Sequence, residues 1–182
     1  MPNLTESTQL GGQVIGRVVF SEEAIQAKVR ELAAEISATY TAADRLLLVG
    51  TLKGSFVFLA DLARAIDLPL HVDFVLASSY GKGTVSTGEV RLLYDPSSEM
   101  KGRAVVLVED IVDSGATLNR LLPRLEARDP ASLEVCTLLH KHLVPLDREP
   151  RWVGFDAPDE FLVGYGLDYA EDFRHLPYIA SL

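Results

Sequence analysis

The chain has 182 residues, 48% of them hydrophobic and 24% charged, and a formal net charge of −9. A chain of that length buries a core without disulfide or metal staples and fits one domain, 1–182, and its apolar content excludes an intrinsically disordered protein. The acidity opposes nonspecific nucleic-acid binding, which depends on Lys and Arg displacing counterions from phosphates, and a polyanionic small substrate would approach more easily with its charge partly neutralised by a divalent cation.

The N-terminal stretch MPNLTESTQLGG has neither a basic n-region nor an apolar h-region, so 1–12 reads as a flexible leader. No apolar run approaches the roughly 20 residues that span a bilayer. The expectation is a cytoplasmic protein that engages no membrane. From Glu22 to Tyr40 the apolar residues Ile25, Val29, Leu32 and Ile36 mark one face of a helix, with Ser21 as N-cap and two glutamates in the first turn. Arg45 to Gly50 predicts a strand buried on both faces. Phe56, Leu59, Leu62, Ala63 and Ile66 repeat at helical spacing, and an apolar helix face there offers a surface for pairing subunits. His71 to Ala77 predicts a strand, the polar SSYGKGTVSTGE a mobile stretch, and Val90 to Tyr94 the returning partner strand.

Ala104 to Val108 predicts another buried strand and Ala116 to Ala127 a helix with Leu118, Leu121, Leu122 and Leu125 on one side. Leu133 to Leu139 follows as a third apolar strand. The lone cysteine, Cys136, lies in that last run, which argues for a buried thiol in a reducing compartment. Strand, helix, strand units favour right-handed crossovers, hence an α/β fold with a parallel twisted sheet flanked by helices. Beyond Pro145 short β-prone pieces at Arg151 to Phe155 and Phe161 to Tyr165 suggest that 145–182 caps the sheet as a small subdomain. Ligands of open parallel sheets bind beyond the carboxyl ends of the strands, so the loops after Val49, Val108 and Leu139 are where chemistry is expected.

The second of these loops carries the strongest pattern. VVLVEDIVDSGAT, Val105 to Thr117, puts Glu109 and Asp110 where the apolar run ends, then Asp113, then small residues opening a helix. Backbone amides from Ser114 to Thr117 at a helix N-terminus cradle a phosphate, and Gly115 lets the backbone come close. Acids beside such a cradle accept hydrogen bonds from a sugar diol. No glycine stands four residues before a Gly-Lys pair, so the pattern is not a Walker A loop.

The stretch resembles the phosphoribosyl-pyrophosphate signature of type I phosphoribosyltransferases. Three further segments resemble the hypoxanthine/guanine branch of that family in order and spacing, and the resemblance covers nearly the whole chain after the leader. Leu52-Lys53-Gly54-Ser55 is similar to the pyrophosphate-binding loop, commonly with a cis peptide before the lysine. Ser79 and Tyr80 match the Ser-Tyr pair that begins a flexible loop closing over the reaction centre, where a cationic sugar must be shielded from water. Lys141 matches the lysine that donates to the purine 6-oxo group, Phe161 the aromatic that stacks on the base, Leu162 a backbone contact to the base edge, Asp168 an acid near the exocyclic group and a magnesium-bound water, and Arg174 a pyrophosphate contact.

The resemblance implies a core of that family with a small hood built from the C-terminal and N-terminal segments. It also implies Glu109, Asp110, Asp113, Ser114, Gly115, Ala116 and Thr117 as the ribose-phosphate site, and Lys53, Gly54 and Arg174 as the pyrophosphate site. Magnesium would be held near Glu109, Asp110 and Asp168, mainly through substrate or water. The implied reaction is attack of a 6-oxopurine on C1 of phosphoribosyl pyrophosphate with Asp113 as general base, in a homodimer or homotetramer. Ser114 stands where many relatives have threonine and Ala116 where others have lysine, so the hydroxyl is retained and a peripheral charge varies. His140 and His142 lack a third ligand at zinc spacing. A non-catalytic sensor of phosphoribosyl pyrophosphate that binds nucleic acid would need a basic face, and an orotate-type enzyme is opposed by Lys141, Phe161 and Asp168.

Overall fold

The computed structural model describes residues 15–79 and 90–182. Among the described residues nine strands and three α-helices run in the order β1 (Val18–Phe20), α1 (Glu22–Thr39), β2 (Leu47–Leu52), α2 (Phe56–Ala65), β3 (His71–Ser79), β4 (Val90–Tyr94), β5 (Ala104–Val112), α3 (Ala116–Glu126), β6 (Ser132–His140), β7 (Trp152–Asp156), β8 (Leu162–Val163) and β9 (Ile179–Ser181), with a short 3-10 turn Ala42–Asp44 between α1 and β2. Six strands form one sheet in the order β4-β3-β2-β5-β6-β7. All neighbours pair in parallel except β3 and β4, so Val90–Tyr94 is the antiparallel returning edge that the sequence suggested.

Strand alternation sorts the apolar side chains onto two faces. Leu46, Leu48, Val106, Val108, Cys136 and Leu138 pack with α1 and α2, whereas Leu47, Val49, Val105, Leu107, Leu133 and Val135 pack with α3. The crossover through α2 leads from β2 outward in one direction and that through α3 leads from β5 in the other. With one handedness for both, the two helices must cover opposite faces, which they do. The result is a three-layer α/β sandwich whose strand order reverses between β2 and β5. At such a reversal the loops leaving the strand ends diverge and open a crevice.

Ser21 caps α1 through its Oγ, which accepts from the Ala24 amide at 3.3 Å, with Glu22 and Glu23 in the first turn as expected. The buried face of α2 differs from the sequence reading. Phe58, Leu59 and Leu62 turn inward, and Phe56 is 44% exposed. Phe58 lies one turn before Leu62 and two before Ile66, so the inward stripe begins there and not at Phe56.

A second, three-stranded sheet, β1-β9-β8, forms the hood and joins the two ends of the described chain. Trp152–Asp156 does not belong to it: β7 pairs in parallel with β6 and extends the main sheet, because Trp152 is buried against α1 and the core. The second β-prone piece shortens to Leu162–Val163, since Gly164 and Tyr165 adopt φ values of 99° and 50° that end the extended backbone. The Tyr165 hydroxyl donates to Asp61 Oδ2 at 2.7 Å and thereby pins the hood to α2. Cys136 is buried, and burial raises its thiol pKa. No helix among the described residues is long and apolar enough to cross a membrane. Residues 1–14, and with them the leader 1–12, lie outside the described residues, as do 80–89.

Candidate active site

Between the ends of β2 and β5 lies a cavity of about 320 Å³ lined by Thr51, Leu52, Gly54 and the continuous stretch 109–118. Glu109 and Asp110 are inside β5 and not beyond its end. Parallel pairing with β6 continues through Glu109↔Thr137 and Ile111↔Leu139 to Val112↔His140, holding both acids in register. The chain then turns at Asp113 and Ser114, and Gly115, with φ 70°, stands immediately before α3 in a left-handed conformation that a side chain would strain. The first backbone bond of this helix runs from the Asn119 amide to the Gly115 carbonyl at 3.0 Å. The amides before it have no intrahelical partner, and with the positive end of the helix dipole they make an anion cradle. Ser114 is exposed and Thr117 half-buried beside it.

The two acids are held at electrostatic cost. Glu109 is 3% exposed, and neither its Oε1 nor the buried Thr51 Oγ1 has a hydrogen-bond partner. Burial, and then the charge of Asp110, push the Glu109 carboxyl well above the usual carboxylate range. Burial also raises Asp110, to about 6, with Asp168 adding to the rise, while the backbone amides of Ile111 and of Asp110 itself and the Arg174 guanidinium oppose it. A Cβ at Gly54 would stand 1.6 Å from Asp110 Oδ2 and 2.5 Å from its Cγ, so any side chain there would require that carboxylate to move. Among the described residues no three His, Cys, Asp or Glu side chains converge as an all-protein metal site. A hard divalent cation needs only one or two carboxylates plus substrate oxygens and waters, and two carboxyl groups side by side, both raised by burial, fit such an ion.

Lys141, just past β6, is held by its amide donating to the Val112 carbonyl at 3.0 Å. Its side chain, 11% exposed, puts Nζ 3.7 Å from Asp113 Oδ2 and 3.9 Å from Asp159 Oδ1. The structure thus joins the acidic turn of β5 to the lysine of β6, which the sequence could only align. Phe161 is exposed and meets Tyr169 edge to face at 5.7 Å, while the next residue, Leu162, is buried at the start of β8. His142 lies past the end of β6: its φ is 53° and its Nε2 meets Asp156 Oδ1 at 2.7 Å, while its ring is tilted by 37° against that of buried His140, with centroids 3.8 Å apart.

On the opposite rim the Leu52–Lys53 peptide is cis. Lys53 Nζ is 3.0 Å from Glu171 Oε2, and the same oxygen is 3.3 Å from Arg174 Nη2. Arg174 also pairs with Asp168 Oδ1 at 2.8 Å and donates to the Gly166 carbonyl at 2.8 Å. Lys53, Asp168 and Arg174 therefore form one network, and Glu171, which sequence reading passed over, is its bridge. The signal for Glu171 was weak, since an acid three residues before an arginine reads as an ordinary surface pair. Asp159 was likewise missed beside Lys141. Ser79 ends β3, paired with Val90, and Tyr80 lies outside the described residues.

Residues 19–170 match the phosphoribosyl transferase domain family. The chain is 45% identical over 170 residues to the hypoxanthine phosphoribosyltransferase of Salmonella typhimurium, covering 91% of this chain and 94% of that protein. It is 47% identical over 174 residues to the hypoxanthine-guanine phosphoribosyltransferase of Mycobacterium bovis, covering 92% and 86%. The solved hypoxanthine-guanine phosphoribosyltransferase of Bacillus anthracis superposes with a TM-score of 0.86 at 46% identity, over 92% of this chain and 99% of that one. With strand order, crevice and acidic turn already in place, the chain belongs to the phosphoribosyltransferase family.

Proposed function

We propose that the protein is a hypoxanthine(-guanine) phosphoribosyltransferase of purine salvage, transferring the 5-phosphoribosyl group of phosphoribosyl pyrophosphate to N9 of a 6-oxopurine and releasing pyrophosphate. The observation that carries this reading is the 3.7 Å approach of Lys141 Nζ to Asp113 Oδ2, which puts a donor suited to a 6-oxo group beside a base on the lip of the phosphate cradle.

In this reading the amides and hydroxyls of 114–117 hold the 5-phosphate and Asp110 and Glu109 face the ribose diol. As N9 attacks C1 the bond from C1 to pyrophosphate breaks, and Asp113 takes the proton from N7. Lys53 and Arg174 receive the charge that leaves with pyrophosphate. Lys141 donates to O6, Phe161 stacks on the ring and Leu162 contacts its edge through the backbone. Glu109, Asp110 and Asp168 would hold magnesium, mainly through substrate oxygens and water, and it would supply positive charge to offset that of pyrophosphate. The protein works in the cytoplasm as a homodimer or homotetramer. A panel of hypoxanthine, guanine, xanthine, adenine and orotate with phosphoribosyl pyrophosphate, run with magnesium and then with chelator, tests the reading: turnover confined to 6-oxopurines and lost on chelation is expected, and turnover of orotate alone would overturn it.

A further inference from the structure

The cations assigned to pyrophosphate are not free in the ligand-free protein. A single oxygen, Glu171 Oε2, lies 3.0 Å from Lys53 Nζ and 3.3 Å from Arg174 Nη2. A carboxylate oxygen bridging an ammonium and a guanidinium has the geometry in which a pyrophosphate oxygen would bind the same two groups. Asp168 already pairs with Arg174 at 2.8 Å and accepts from the Glu171 amide at 2.9 Å, so the Glu171 carboxylate is not needed to neutralise the arginine or to hold the loop. Its side chain is 65% exposed, free to swing out when a better anion arrives.

We infer that Glu171 is a built-in competitor for the pyrophosphate subsite: its carboxylate occupies Lys53 and Arg174 between turnovers, weakens the binding of pyrophosphate and of phosphoribosyl pyrophosphate alike, and speeds departure of the pyrophosphate product. The inference rests on the proposed function for the identity of the anion. The competitor touches only the leaving-group end, so it acts on neither the purine nor the 5-phosphate. Exposed ion pairs are individually weak, so the expected effect is modest.

The test is calorimetric titration of the intact protein with pyrophosphate, with and without magnesium, for the native chain, Glu171→Gln and Glu171→Ala. Both variants should bind pyrophosphate about three- to tenfold more tightly, and steady-state product inhibition by pyrophosphate should strengthen by the same factor. In a Lys53→Met background the gain should shrink. Unchanged or weaker pyrophosphate binding by both variants would overturn the inference, and weaker binding of base and pyrophosphate together would mean that Glu171 merely shapes the loop. If the native chain turns over no base at all, the functional reading fails by itself; if it turns over 6-oxopurines but the variants bind pyrophosphate no better, only the competitor idea fails.

Discussion

Two charged residues near opposite ends of β5, Arg103 and Glu109, are both more than nine-tenths buried, and the protein treats them in opposite ways. Arg103, just before the strand, donates to the carbonyls of Arg45 at 2.8 Å, Leu46 at 3.3 Å and Glu99 at 3.4 Å. Glu109, toward the other end, leaves Oε1 without any partner. A buried guanidinium whose nitrogens are bonded to backbone is a fastener; a buried carboxyl with an oxygen left unpartnered is destabilising and persists where a ligand will complete it. The start of the sheet is thus built for stability and its far end for binding.

The largest test of that contrast is Asp113→Asn. It should cut turnover about 10²- to 10⁴-fold while leaving phosphoribosyl pyrophosphate affinity and the melting temperature nearly unchanged. Unchanged turnover would remove Asp113 from the role of base. Arg103→Leu should do the reverse, costing about 2–4 kcal/mol in urea denaturation because three carbonyls lose their donor, with turnover per folded molecule preserved. A catalytic loss without a stability loss would show that the two ends are not separable.

Asp110→Asn sharpens the comparison through pH. The folded Asp110 pKa of about 6 lies above its unfolded value, so the stability this residue contributes is fully present below that unfolded value and is lost as pH rises through 6. Asp61 and Asp73 have lowered values, so their contribution is present above the ordinary carboxylate range and lost as pH falls. The ligand-free protein should therefore lose stability between about pH 4 and 7 on account of Asp110, by about 3 kcal/mol, and the Asn variant should flatten that slope. Identical slopes in thermal melts of the two proteins would count against a strained carboxylate at this position.

Much of this was legible in the chain. The leucine stripe of α3, the cap of α1 and the apolar runs of β2, β5 and β6 stand where their periodicity puts them, because local pattern and tertiary burial agree there. β5 ran longer than its apolar run, since two acids at a strand end look like a loop until the pairing partner through Thr137 and His140 is known. The inward turn of Phe58 in place of Phe56 depended on how α2 sits over β2, because both phenylalanines fall at helical spacing from residues of the inward stripe, Phe56 from Leu59 and Phe58 from Leu62. Within the candidate site the acidic turn was visible as a continuous string. Its junction with Lys141, and the bridge made by Glu171, were not, because they join residues far apart in sequence or read as ordinary surface charge.

The hood pairing has a consequence in time. β9 is the central strand of the hood, and Val18↔Ala180 and Val163↔Ala180 both depend on it. During synthesis β1 leaves the ribosome long before its partner exists, whereas β2, β5 and β6 can assemble the crevice and its helix N-terminus earlier. A nascent chain stalled before Ile179 would thus have the crevice between β2 and β5 but leave β1 and β8 without the strand that joins them, so the second sheet forms only after the crevice can.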